Sequence, residues 1–113
     1  MIEAYYDLGA RYMTLSHSSN NDICDSSTDP QGPDHGGLSP FGEAVVAEMN
    51  RLGMMVDVSH ISDDAVWDVF AITAAPVIAS HSNARALYDH PRNLNDDLLE
   101  AIAENGGVVQ VLS

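Results

Sequence analysis

The feature that most constrains this chain is an apolar run ending in Ser-His, which occurs three times. The runs cover residues 13–17, 54–60 and 76–81. Each has the length and β-branched content of a buried strand, and helical sequence follows the second and third runs. The repetition predicts strands that each deliver a histidine to the loop that follows.

His17, His60 and His81 are the histidines that end these runs. The carboxyl ends of parallel strands lie at one edge of a sheet, which is where α/β folds place their chemistry. A fourth apolar run at residues 108–112 predicts one more strand. If the strands are parallel neighbours, the three imidazoles share one sheet edge.

Helical segments alternate with the strands. We predict helices over residues 2–9, 39–53, 62–73 and 93–104. The order of elements, α-β-loop-α-β-α-β-α-β, is typical of right-handed βαβ units with a parallel sheet. A (β/α)8 barrel needs eight strands and about 250 residues, so four strands cannot close one. We therefore interpret residues 1–113 as the central portion of a single, larger α/β barrel domain.

Two patterns predict how these elements pack. Phe41, Val45, Met49 and Leu52 recur with helical spacing and form a stripe that should face the sheet. Asp57 interrupts the second strand. A carboxylate inside a strand has to be paired or hydrogen-bonded, so we expect Asp57 to have a structural partner.

The charge balance narrows the range of partners. The chain has 17 acidic and four basic residues and a net charge of −13. Such a charge repels nucleic acid and anionic membranes, while a metal cation is compatible with it. There is no phosphate-binding glycine motif, no run long enough to span a membrane, and only one cysteine, Cys24, so no intrachain disulfide.

Residues 18–38 form a polar connection that is longer than usual, which marks it as functional or disordered. It contains His35, which we interpret as a solvated loop residue. The N-terminus lacks the positively charged region of a signal peptide. The single cysteine favours a reducing compartment.

The spacing between His60 and His81 corresponds to one β-α-β step. Neighbouring strands lie about 4.8 Å apart, so two such imidazoles can reach one cation. Catalytic zinc takes three protein ligands and a water, so two histidines are an incomplete set. The alternative is that Ser-His only ends each strand by hydrogen bonding. Three equivalent repeats favour the metal site.

Arg92 lies in the loop after the third strand, where its guanidinium could bind a substrate carboxylate. The alternative is a surface ion pair with Asp89 or Asp96. His17 could donate a hydrogen bond to a developing oxyanion. It could instead be a third metal ligand or a packed structural residue.

Several motifs resemble the renal (membrane) dipeptidase family of zinc peptidases, and bacterial members in particular. They are GLSPFG at 37–42, MNRLGMMVDVSH at 49–60, PVIASHS at 76–82 and DHPRN at 89–93. The resemblance extends from about Tyr5 to the end of the chain. It implies a distorted (β/α)8 barrel with two bridged zinc ions, which hydrolyses dipeptides with a metal-activated water.

The resemblance also implies residue roles. His60 and His81 match the two histidines that bind one of the zinc ions. His17 matches the histidine that contacts the substrate and steadies the tetrahedral intermediate, and Arg92 matches the arginine that holds the substrate's terminal carboxylate. The dipeptide is the expected partner.

The family's remaining site residues are absent from this sequence: a His-x-Asp pair, a bridging glutamate and a late aspartate that acts as acid/base. We therefore expect a fragment that is inactive and binds zinc weakly alone, from a bacterial cytoplasmic or periplasmic enzyme. Two alternatives stay open. One is a non-catalytic α/β assembly module, for which exposed strand edges would favour a homo-oligomer. The other is a related metal-dependent amidohydrolase with another substrate.

Overall fold

The computed structural model describes residues 1–112 and contains one parallel sheet covered by helices. The strands are β1 (Tyr12–Thr14), β2 (Met55–Asp57), β3 (Ile78–Ala79) and β4 (Val108–Val109). The helices are α1 (Ile2–Asp7), α2 (Pro40–Leu52), α3 (Asp63–Ile72) and α4 (Asp96–Asn105). This alternation of strands and helices confirms the predicted α/β class.

The sheet order is β1-β2-β3-β4, and every neighbouring pair is parallel. Thr14 is the register partner of Asp57, and Asp57 is also the partner of Ile78. The carboxyl ends of β1, β2 and β3 therefore lie side by side. Such a sheet corresponds to part of the wall of a (β/α)8 barrel.

The strands are shorter than the apolar runs predicted. β2 ends at Asp57 and β3 at Ala79, so His60 and His81 lie in the loops three and two residues beyond them. Pairing nevertheless continues irregularly, since the N–H of Val58 donates to the carbonyl oxygen of Ile78. After β2 the chain turns at His60, which has a φ of +73°.

Three of the helices begin at capping side chains. Ser39, Ser62 and Asn95 accept hydrogen bonds from the N–H groups of Gly42, Ala65 and Leu98, respectively. Each cap satisfies a backbone donor that the helix itself leaves unpaired. The starts predicted at Ser39 and Ser62 are therefore confirmed. The fourth helix begins later than predicted, because Asn95 is its N-cap, and the first ends at Asp7 rather than Gly9.

The core lies between the sheet and helices α2 to α4. Val45 and Met49 are buried as predicted, but Phe41 is 59% exposed and Leu52 only half-buried. Val46 is fully buried and takes part in the face of α2 that packs inward. The predicted stripe on α2 was therefore wrong at its ends.

The long connection 18–38 is ordered by Asp25, whose carboxylate is 1% exposed. Its oxygens accept hydrogen bonds from the N–H groups of Asp34, His35 and Gly37. Burial alone would raise the pKa of Asp25, but these three hydrogen bonds and the nearby His35 hold it below its usual value. The connection is thus a folded loop and not a disordered one.

The same loop packs against α3 at Gly37. The N–H of Leu38 donates to Asp68 Oδ2, and a Cβ atom on Gly37 would collide with that oxygen. Gly37 also has a φ of +130°, which favours glycine. His35 is exposed, as predicted, and its Nε2 lies 2.8 Å from the carbonyl oxygen of Asn21.

Among the helices of residues 1–112, none has the length and apolar character needed to cross a membrane.

Candidate active site

His60 and His81 meet at the carboxyl edge of the sheet. Their Nε2 atoms are 2.8 Å apart, although 21 residues separate them in the sequence. The two rings meet edge to face, with centroids 4.8 Å apart. β2 and β3 are neighbours in the sheet, so the loops that follow them bring the imidazoles together.

His60 has the only positive φ among the non-glycine residues that the structure describes, at +73°. This left-handed conformation costs an L-residue about 1–2 kcal/mol. Strain of this kind persists where the surrounding structure requires it, and it is frequent at functional sites. At His60, the turn delivers the imidazole to His81.

The surroundings of His60 favour its neutral form. The pKa of His60 is lowered from 6.5 to about 4, and burial is the largest cause. The charges of Arg92, His17 and His81 also lower it, whereas the charge of Asp57 has a smaller, opposite effect. At neutral pH the ring therefore has a nitrogen lone pair, as a metal ligand requires.

Asp57 is fully buried beneath the two histidines and joins three strands. Its Oδ2 accepts hydrogen bonds from the hydroxyls of Thr14 and Ser80, each at 2.5 Å. Its Oδ1 accepts from the N–H groups of Ser59 and Ser80, at 3.0 and 2.9 Å. The expectation that Asp57 has structural partners is confirmed.

The serines that precede the histidines have different roles. Ser80 Oγ lies 2.7 Å from Nδ1 of its neighbour, His81. Ser59 Oγ accepts from the N–H of His81 and contacts Ser82 Oγ at 2.9 Å. Ser16 Oγ lies 3.5 Å from the carbonyl oxygen of Asp25. The repeated Ser-His sequence is therefore not one repeated hydrogen-bond motif.

His17 reaches the same edge from the end of β1. Its ring stacks on His60, with centroids 3.8 Å apart and planes at 25°. His17 is exposed, and its Nδ1 lies 2.9 Å from Ser18 Oγ. His17 is therefore not buried in the core, and solvent or a ligand can reach its ring.

Arg92 also points into the site. Its Nη2 donates a 2.7 Å hydrogen bond to the carbonyl oxygen of His81. Within residues 1–112 Arg92 makes no ion pair, so the alternative pairing with Asp89 or Asp96 is wrong. Arg85 makes the ion pair in this region instead, with Asp63.

A cleft of about 690 Å³ is lined by His81, by Arg92 and by the loop between them. Leu87, Tyr88 and Val111 contribute apolar surface to it. Its volume lies within the range of about 300–1,000 Å³ that is usual for small-molecule sites. A cation at the histidines and a guanidinium at Arg92 would thus flank one cleft.

The histidines fit part of a metal site. Imidazole nitrogens that face each other, as the Nε2 atoms of His60 and His81 do, are suitable zinc donors. In the described part of the chain, however, no group of three or more His, Cys, Asp or Glu side chains could hold a metal ion. A tetrahedral ion would space the two nitrogens about 3.3 Å apart, so the rings need to separate by about half an ångström. The two imidazoles alone therefore do not complete a set of metal ligands.

Sequence reasoning missed the contacts of Ser80. The sequence identifies Ser80 only as part of the Ser-His repeat. In the structure, its hydroxyl connects Asp57 to His81. One signal was available: Asp57 interrupts one apolar run, and Ser80 lies near the end of the next. Their pairing depends on strand register, which the sequence does not specify here.

The carboxyl edge of a parallel sheet is where (β/α)8 barrels place their active sites, and imidazole is a common metal ligand. The chain belongs to the membrane dipeptidase family, peptidase family M19, whose model matches residues 1–113. A metal cofactor is characteristic of this family of metallopeptidases.

Two fungal relatives show the extent of the match. Dipeptidase aclJ of Aspergillus oryzae is 50% identical over 111 residues, which are 98% of this chain and 26% of the relative. Dipeptidase verJ of Clonostachys rogersoniana is 53% identical over 106 residues, 94% of this chain and 27% of the relative. The chain thus spans about a quarter of the length of these relatives.

Solved structures show the same relationship. The probable dipeptidase PvdM from Pseudomonas aeruginosa superposes with a TM-score of 0.94 at 42% identity, over 97% of this chain and 29% of that one. A metallopeptidase from Rhodobacter sphaeroides, liganded with a phosphinate mimic of the dipeptide L-Ala-D-Ala, superposes with a TM-score of 0.88 at 32% identity. This match covers 97% of this chain and 32% of the other. The sheet is therefore a section of a larger fold.

Proposed function

We propose that this chain is part of a zinc-dependent dipeptidase and supplies one half of its active site. The observation that carries the proposal is the contact between the Nε2 atoms of His60 and His81 at the carboxyl edge of the sheet. We propose that these nitrogens bind one ion of a two-zinc centre. The other ligands would come from parts of the protein outside these 113 residues.

Zinc bound at such a site activates water at neutral pH and polarises the carbonyl group that the water attacks. The task of His60 and His81 would be to hold the ion at the end of the cleft through their Nε2 atoms. The low pKa of His60, about 4, supports this assignment because protons do not compete for its nitrogen near pH 7.

Arg92 would bind the terminal carboxylate of the dipeptide. Its side chain is half-buried and anchored through Nη2 to the carbonyl oxygen of His81, so its position relative to the histidines is defined. A guanidinium has five N–H donors, and a bidentate pair with a carboxylate remains available beside that anchor. The relative from Rhodobacter sphaeroides, which holds a dipeptide mimic, supports this choice of substrate.

His17 would hydrogen-bond to the oxygen that becomes negatively charged when water attacks the peptide carbonyl. It is exposed, stacks on His60 and uses Nδ1 toward Ser18, which leaves Nε2 for the substrate. A preorganised donor at such a position stabilises the transition state more than the bound substrate, and it therefore lowers the activation barrier.

The test is to assay the full-length protein that contains this chain against Ala-Ala and against the same dipeptide with a C-terminal amide. We expect hydrolysis of Ala-Ala, with kcat/KM for the amide lower by at least about tenfold, because Arg92 loses a charged partner. Removal of metal by a chelator should abolish hydrolysis, and added zinc should restore it. A zinc-loaded, folded protein that cleaves no dipeptide would contradict the proposal.

A further inference from the structure

A hydrogen-bonded chain connects the buried carboxylate of Asp57 to His81 through Ser80. The Ser80 hydroxyl lies 2.5 Å from Asp57 Oδ2 and 2.7 Å from His81 Nδ1. A hydroxyl has a single proton to donate, so the direction of each hydrogen bond in this chain can be worked out.

Asp57 can act only as an acceptor. Both of its oxygens are already occupied by donors: the N–H groups of Ser59 and Ser80 at Oδ1, and the hydroxyls of Thr14 and Ser80 at Oδ2. These four donors match the number of acceptor positions that the two carboxylate oxygens offer. The proton of the Ser80 hydroxyl therefore points to Asp57.

Since the Ser80 proton points to Asp57, the oxygen of Ser80 must accept a hydrogen bond from His81. Nδ1 of His81 then carries a hydrogen, and in the neutral ring the lone pair is on Nε2. This is the atom that faces His60 Nε2. The ring is thus held both in tautomer and in orientation.

We propose that Ser80 and Asp57 are positioning residues that fix His81 as the Nδ1–H tautomer and aim its Nε2 lone pair at the metal. The inference rests on the metal site of the proposed function. Hydroxyl and carboxylate partners behind a ligating histidine commonly change metal affinity 10- to 100-fold. The Ser80 hydroxyl provides the connection, because it hydrogen-bonds both to the Asp57 carboxylate and to the ring of His81.

The backbone supports the same orientation. The N–H of His81 donates to Ser59 Oγ at 3.0 Å, and the carbonyl oxygen of His81 accepts from Arg92 Nη2 at 2.7 Å. Both peptide groups of the ligand are therefore held independently of its ring. Removal of the Ser80 hydroxyl should release the ring while the backbone stays in place.

The experiment compares Ser80→Ala, Ser80→Thr and Ser16→Ala in the full-length protein. Ser80→Thr keeps a hydroxyl. Ser16 precedes His17 in the equivalent position, but among residues 1–112 its hydroxyl hydrogen-bonds to the carbonyl oxygen of Asp25 and to no histidine ring. Zinc affinity is measured by competition with a chromogenic chelator, and the tautomer of His81 by 15N chemical shifts. Thermal unfolding of the metal-free proteins checks that each variant is folded.

We expect Ser80→Ala to weaken zinc affinity 10- to 100-fold and to remove the preference of His81 for the Nδ1–H tautomer. Ser80→Thr should restore affinity to within about threefold, and Ser16→Ala should match the wild type. Unchanged zinc affinity in a folded Ser80→Ala protein would overturn the inference, and so would an equal loss in all three variants.

These outcomes are separate from those of the proposed function. A wild-type protein that binds zinc but hydrolyses no dipeptide refutes the dipeptidase assignment, and the positioning of His81 is still decided by affinity and tautomer. Asp57→Asn is a poorer test, because it places an amide among four donors and endangers the fold.

Discussion

Arg92 and His81 are joined by a hydrogen bond of 2.7 Å from the guanidinium to the main-chain carbonyl oxygen. The group proposed to bind the substrate carboxylate is therefore anchored to the backbone of a proposed metal ligand. In the proposed site, this contact would set the distance between the metal and the carboxylate-binding group. A change at Arg92 can therefore be followed through KM and kcat separately.

We predict that Arg92→Lys raises KM for a dipeptide by about 10- to 100-fold, because a planar bidentate partner is replaced by a single ammonium group. The effect on kcat should be smaller. Steady-state kinetics on the full-length protein measure both. Arg51→Lys is the matched control, because Arg51 is an exposed arginine that pairs with Glu48 on α2, away from the site. An unchanged KM in Arg92→Lys would contradict the assignment.

We predict that the loop 18–38 contributes stability that is lost in acid. The pKa of Asp25 is lower in the folded protein than its usual value, so the folded state releases this proton more readily than the unfolded state. The stabilisation is complete above the unfolded pKa of about 3.9 and disappears as pH falls through the lower folded pKa. Thermal unfolding of the wild type and of Asp25→Asn, measured from pH 7 to pH 2.5, checks this.

At pH 7 the Asp25→Asn protein should be less stable by about 1.5–3 kcal/mol, the usual contribution of hydrogen bonds to a charged group. The difference between the two proteins should shrink in acid. A difference that stays constant down to pH 2.5 would show that the charge of Asp25 does not stabilise the loop.

We predict that Gly37→Ala is more destabilising than Gly36→Ala. Both glycines have positive φ, at +130° and +72°. A Cβ at Gly36 meets no atom within 4 Å, whereas one at Gly37 collides with Asp68 Oδ2. Gly36→Ala should cost about 1–2 kcal/mol for its conformation alone, and Gly37→Ala should cost more. Equal losses in chemical denaturation would argue that the loop does not pack on α3 as described.

We predict that Cys24 does not react with thiol reagents in the folded protein. Cys24 is fully buried, and burial is the main reason why the pKa of its thiol is raised to about 11. A hydrogen bond with Ser16 lowers this pKa, and the charge of Asp25 raises it further. At pH 8 only about one molecule in a thousand would be a thiolate. Mass spectrometry of the peptide that contains Cys24, after labelling with and without denaturant, measures this. Rapid labelling of the native protein would contradict it.

The sequence predicted the order and type of the elements because their signals are local. Ser39 and Ser62 are capping residues, and the apolar runs before His60 and His81 mark the strands. The adjacency of the two histidines followed from one assumption, that consecutive strands are parallel neighbours. The structure has that arrangement.

The remaining features depend on contacts that are distant in the sequence. Asp25 orders its loop by accepting hydrogen bonds from N–H groups 9 to 12 residues away. The length of the loop alone had left open whether it was functional or disordered. Phe41 has the right helical spacing for the core, yet it is exposed because the sheet meets the adjacent face of α2. The contact of Ser80 with Asp57 needs the register of β2 and β3, which no local signal encodes.

The most direct test of the account is the zinc content of the full-length protein in wild-type form and as His60→Ala, His81→Ala and the double variant, with His35→Ala as the control. His35 is an exposed loop histidine outside the site. Two zinc ions are expected in the wild type and in the control, and one in each of the other three, since both histidines would bind the same ion. Full zinc content in His60→Ala or His81→Ala, or a further loss in the double variant, would contradict a shared ion.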